Sequence, residues 1–79
     1  MTDYRPIDCG QYSEYELAIL QRKRLRVSWH NRDGRSHIEP LTPIDLRTRS
    51  HEEFLVVKRA AGEVFELRLD YIVKVETIL

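Results

Sequence analysis

The chain has little of what small catalytic or secreted domains are usually built from. Its one cysteine, Cys9, cannot form an internal disulfide, which fits a reducing interior. Its three glycines, Gly10, Gly34 and Gly62, stand apart, so none belongs to a phosphate-cradling loop; each suits a turn or a cap. Three histidines, His30, His37 and His51, fall with Cys9 at no paired metal-ligand spacing. No G-x-S-x-G elbow surrounds Ser28, Ser36 or Ser50. No catalytic residue, cofactor or metal is therefore expected. No run approaches the ~18 apolar residues of a membrane span, and residues 1–6 have no apolar signal-peptide core, so a soluble cytoplasmic chain is expected. Net charge is missing too, because 13 Lys and Arg balance 13 Asp and Glu.

What is present is a single domain of 79 residues. A chain this short buries roughly 60–65% of its unfolded surface, so nearly every large apolar side chain is needed in the core. Its charge is unevenly placed. Residues 1–20 set Asp3, Asp8, Glu14 and Glu16 against Arg5, for −3. Residues 21–37 set Arg22, Lys23, Arg24, Arg26, Arg32 and Arg35 against Asp33, for +5. The remainder carries −2. Two poles of opposite sign could steer a charged partner, or merely keep a small domain hydrated.

Residues 1–7 read as an extended arm, because Pro6 biases Arg5 away from helix. A helix is expected over 8–22, with Asp8 and Gln11 as one capping register and Ser13 with Glu16 as another. Tyr12, Tyr15, Ala18 and Ile19 recur at helical spacing. Glu14 and Glu16 would sit near the positive end of the dipole, and Arg22 and Lys23 near the negative end. Period two then takes over, with Leu25, Val27 and Trp29 on one face and Arg24, Arg26, Ser28 and His30 on the other. Asn31-Arg32-Asp33-Gly34 signals a hairpin, and residues 35–39 a short return strand. Pro40 and Pro43 are expected to break regularity, leaving Leu41 and Ile44 to anchor a loop. Residues 45–50 are ambiguous. Strands follow at 53–59, 64–69 and 72–78, with a turn at Ala60–Glu63 and a corner at Asp70-Tyr71. Phe54–Val57 has no polar face, so both its faces should be covered. The fold class is mainly β with one N-terminal helix: a five- to six-stranded antiparallel barrel of the Sm or SH3 kind over residues 24–78, or an open sheet with a helix on one face.

With no catalytic motif, function falls to a surface, and two are candidates. The helix places Asp8, Tyr12, Ser13, Glu14 and Glu16 near one end. Such an acidic, aromatic face can dock into a site built for phosphates and bases. The plainer alternative is that Tyr12 and Tyr15 pin the helix while the acids solubilise it. The second candidate is the basic set Arg22, Lys23, Arg24, Arg26 and Arg35, as an RNA-binding module. It offers few phosphate contacts, and Trp29 shares the face of Leu25 and Val27, so it should be core rather than a stacking platform. RNA binding is expected to be weak or absent.

Tyr4-Arg5-Pro6-Ile7-Asp8-Cys9-Gly10-Gln11-Tyr12, then Glu16-Leu17-Ala18, resembles the opening of the Rho-binding antiterminators (the Rof, or YaeO, family). The resemblance continues through Asp45-Leu46, Arg49, Glu53–Val57, Ala61-Gly62-Glu63, Glu66–Asp70 and Ile72. Residues 22–42 match poorly, and Ser13 stands where the family often has an acid. The resemblance implies an Sm-like barrel with an N-terminal helix. It implies a partner, the termination factor Rho, bound at its primary RNA-binding region so that RNA cannot load and Rho-dependent termination falls. By position it assigns Tyr12 and Glu16 to the contact. A monomer is expected.

Overall fold

Asp8 sets where regular structure begins. In the computed structural model, which describes residues 3–78, its backbone is extended and its carboxylate accepts from the Gln11 N–H at 2.8 Å. That is the N-cap geometry that satisfies an orphan donor of the first turn. Helix α1 therefore runs Cys9–Leu20, and the Asp8 register prevails over the one at Ser13. This is shorter than 8–22. Arg22 and Lys23 lie beyond the helix, and neither Glu14 nor Glu16 falls in its first turn, so the expected dipole pairing does not arise. The helix ends in a Schellman arrangement. The Lys23 N–H donates to the Ala18 carbonyl and the Arg22 N–H to that of Ile19, with Arg22 left-handed at φ 53° where glycine is usual.

Five strands follow among the described residues: β1 Leu25–His30, β2 Ser36–Arg49, β3 Glu52–Lys58, β4 Val64–Arg68 and β5 Ile72–Thr77. They form one antiparallel sheet in the order β4-β3-β2-β1-β5, as the mainly β reading expects. The sheet is strongly curled. Trp29 on β1 and Phe65 on β4 lie three strands apart, roughly 14 Å in a flat sheet. Their ring centroids are 6.0 Å apart across the interior. A 3-10 turn, Leu69–Tyr71, carries the chain from β4 to β5, at the corner expected at Asp70-Tyr71.

Pro40 and Pro43 do not break the second strand into a short strand and a loop. Strand β2 passes through both, and they mark its bend instead. Residues 36–41 pair with β1, residues 42–49 with β3, and the register slips between Pro43 and Asp45. A proline's missing donor is tolerated where a strand changes partners. The ambiguous 45–50 segment is thus mostly strand. It turns at Ser50 and His51, both left-handed at φ 51° and 63°, with no glycine or asparagine to announce the turn.

The core is drawn from Tyr15 and Ala18 of α1, Leu25, Val27 and Trp29 of β1, Leu41, Leu55, Val57, Leu67 and Leu69. All four residues Phe54–Val57 are buried, as their unbroken apolar run requires. The outward ring of Phe54 lies 4.1 Å beneath the Arg49 guanidinium. Of the expected arm at residues 1–7, the segment from Asp3 onward is described; residues 1 and 2 lie outside. It is tied to the barrel by Arg68, whose side chain is 5% exposed. Arg68 donates twice to Asp70, at 2.7 and 2.8 Å, and once to Asp3, at 2.7 Å, and it stacks over Tyr71. The Arg5 N–H adds a bond to Asp70.

Candidate protein-binding surface

A 12-residue helix over a curved sheet divides its side chains by angle, at 100° per residue. Tyr15 and Ala18 point at the core and are buried. Tyr12 and Ile19 lie on one shoulder, half-buried and packed against that core. Glu16 and Ser13 continue from the Tyr12 shoulder toward solvent, both exposed. Glu14 falls on the opposite flank, where it lines a groove with Gln11, Ile72 and Val73 of the β5 side. The five helix residues singled out from sequence are therefore not one cluster. Tyr12, Ser13 and Glu16 share a shoulder, Asp8 caps the helix start, and Glu14 is turned away.

Beside Tyr12 lies an open groove of about 240 Å3, lined by Ile7, Cys9, Tyr12, Ser13 and Glu53. The arm supplies Ile7, the helix supplies the next three, and β3 supplies Glu53. Glu53 accepts from the Tyr4 hydroxyl at 3.3 Å, so one carboxylate stands close to two tyrosines. Burial pushes the Tyr12 phenol above its ordinary range, and Glu53, Glu16 and Asp45 add to the rise. Of these, Glu53 shares the groove with Tyr12, and Glu16 lies one turn further along the helix. Burial likewise pushes Tyr15 up to about 12, while Tyr4 is raised by burial and by Glu53.

Such a surface can accept hydrogen bonds from several cations and offer a flat ring between them. It holds no nucleophile–histidine pair, and no group of His, Cys, Asp or Glu suited to a metal occurs among the described residues. No helix is long and apolar enough to cross a membrane among those residues. Glu53 and Asp45 were not singled out from sequence. A signal for Glu53 existed: it alternates with Leu55 and Val57, which places a carboxylate on the inward face of β3.

The basic candidates are exposed, four of them near the end of α1 and Arg35 apart from them. Arg22, Lys23 and Arg24 occupy the link between α1 and β1. Arg26 points outward from β1 with Glu76 as its cross-strand neighbour. Arg35 lies in the turn beyond the far end of β1, roughly 17 Å along the strand, and pairs there with Asp33 at 3.5 Å. Trp29 is 5% exposed and stacked on His37, so it gives the basic stretch no stacking surface.

No protein-family model matches the chain. Among curated proteins, Protein rof of Escherichia coli (strain K12) is 41% identical over 69 residues, spanning 87% of this chain and 76% of that protein. Protein rof of Shigella flexneri matches to the same extent. The aligned length takes in both the helix and most of the sheet, and on that likeness the chain belongs to the Rof family.

Proposed function

We propose that this chain binds the termination factor Rho at its primary RNA-binding region, keeps RNA from loading, and so lowers Rho-dependent termination. The family resemblance supplies the activity. The observation that carries it onto this molecule is the half-buried Tyr12 ring beside Glu53 in an open groove, with Glu16 exposed one turn further along the helix. A site that receives RNA presents cations for phosphates and flat faces for bases. Tyr12 takes the place of a base, while Glu16 and Glu53 take the place of phosphates. Ser13 adds a hydroxyl to the same shoulder. Asp8 holds the helix start in register, with one oxygen spent on its cap. Glu14 stands outside this set.

The test is to mix the chain with Rho and a labelled oligoribonucleotide. The expected result is a stable complex together with release of RNA. Failure to form a complex, or a complex that leaves RNA loading unchanged, contradicts the proposal. With Trp29 buried and Arg35 far from the others, Arg22, Lys23, Arg24, Arg26 and Arg35 give no comparable support to direct RNA binding.

A further inference from the structure

Charges on the barrel are largely paired within the chain, and those at the two ends of α1 are not. Arg59 is held by Glu39 and Glu63, Glu66 by Arg47 and Arg49, and Lys74 by Glu76. Among the described residues, Glu14, Glu16, Arg22, Lys23 and Arg24 make no such pair. Between them the helix exposes two leucines, Leu17 at 52% and Leu20 at 80%. Both lie on the side of α1 away from the core, at about 160° from Tyr15 for Leu17 and 140° for Leu20. Glu14, Leu17 and Lys23 line one groove of about 280 Å3. An acid, an apolar residue and a base thus follow one another along a single flank.

That order is self-complementary. We propose that α1 pairs with α1 of a second copy, antiparallel about a two-fold axis that lies outside the Leu17 and Leu20 side, level with the midpoint of Ala18 and Ile19. Under such an axis a residue meets the partner residue whose number brings the two to the same sum. Leu17 of one copy meets the partner's Leu20, and Glu14 faces the partner's Lys23, which lies past the helix end on the flank that Glu14 and Leu17 line. Each contact occurs twice. The two leucines of each copy leave water, and the unpaired charges at the helix ends gain opposite partners. The face is small beside the ~1,200 Å2 of the smallest stable interfaces, so the dimer forms at high protein concentration and dissociates on dilution. Pairing also covers the Ser13 edge of the surface assigned to Rho. Competition between dimer and Rho rests on that assignment, whereas the dimer itself does not.

The experiment is a dilution series of the chain alone, from about 2 mM to about 50 μM, followed by amide NMR shifts and sedimentation equilibrium. Concentration-dependent shifts are expected on residues 13–24, with dissociation at the dilute end. Leu20→Ser abolishes them. Glu14→Lys or Lys23→Glu alone weakens association several-fold, and the two together restore it, because the swap recreates both pairs. All these positions are exposed, and circular dichroism confirms that each variant folds. A chain that stays monomeric throughout overturns the proposal. So do shifts confined to the β4 or β5 edge, or a double reversal no better than either single one. Each of these outcomes would leave Rho binding untouched.

Discussion

The corner around Arg68 and the outward side of α1 use charge in opposite ways. At the corner a buried guanidinium is enclosed by Asp70, Asp3 and two tyrosine rings, and Glu52 stands 3.4 Å away. Burying a charge is tolerable because the group is fully partnered. Along α1 and the link that follows it, carboxylates and cations stand unpaired in water beside exposed leucines. A fully partnered cluster stabilises and has nothing left to offer a ligand. An unpartnered one contributes little to folding and stays available for binding. On the proposed function, the barrel is the scaffold, and the helix with its adjoining groove is the working face.

The comparison breaks if barrel variants fail to destabilise. Leu55→Ala empties a fully buried site and is expected to cost about 3–4 kcal/mol in urea unfolding. That is a large part of what a domain of this size possesses. Arg68→Ala leaves Asp70 without its bidentate partner and frees the arm. A loss of about 2–3 kcal/mol is expected, with faster amide exchange at Arg5.

Alkaline titration sharpens the contrast within α1 itself. Tyr15, buried against the core, is raised to about 12 from an ordinary 10.0. The unfolded phenol ionises first, so the stability from this group is complete below about pH 10 and is lost as pH rises toward 12. The loss from this group should reach roughly 1–2 kcal/mol, and the alkaline decline should shrink by that amount in Tyr15→Phe while the raised Tyr4 and Tyr12 keep their share, as read from urea midpoints against pH. The smallest effect concerns the helix end. Arg22→Gly relieves a left-handed arginine and should stabilise by about 0.5 kcal/mol in thermal unfolding.

Much of this architecture was legible because local chemistry and tertiary need agreed. Asp8 both ends the arm and caps α1. Gly34 and Gly62 sit where turns require positive φ. The apolar run Phe54–Val57 reads as a doubly covered strand and is one. The misses share a different cause. Pro40 and Pro43 oppose a strand locally, but β2 exchanges neighbours there, a fact of pairing that single residues do not announce. Ser50 and His51 adopt a tight turn that strand pairing imposes against their own preference. The proposed working face was half legible. Tyr12 and Glu16 follow from helical spacing, but Glu53 reaches them from β3, and no periodicity within α1 points to another strand. Glu14 was grouped with Tyr12 by sequence nearness, whereas helical angle parts them.

The most direct test sets the two candidate surfaces against each other. Rho affinity is measured by displacement of labelled RNA, for Tyr12→Ala with Glu16→Lys and for Arg24→Glu with Arg26→Glu. Both variants are first shown to fold like the parent chain. The helix variant should lose about 2 kcal/mol or more, some thirtyfold in affinity, while the basic variant stays near the parent. Parent-like binding by the helix variant, or a loss confined to the basic one, would contradict the assignment of function to α1.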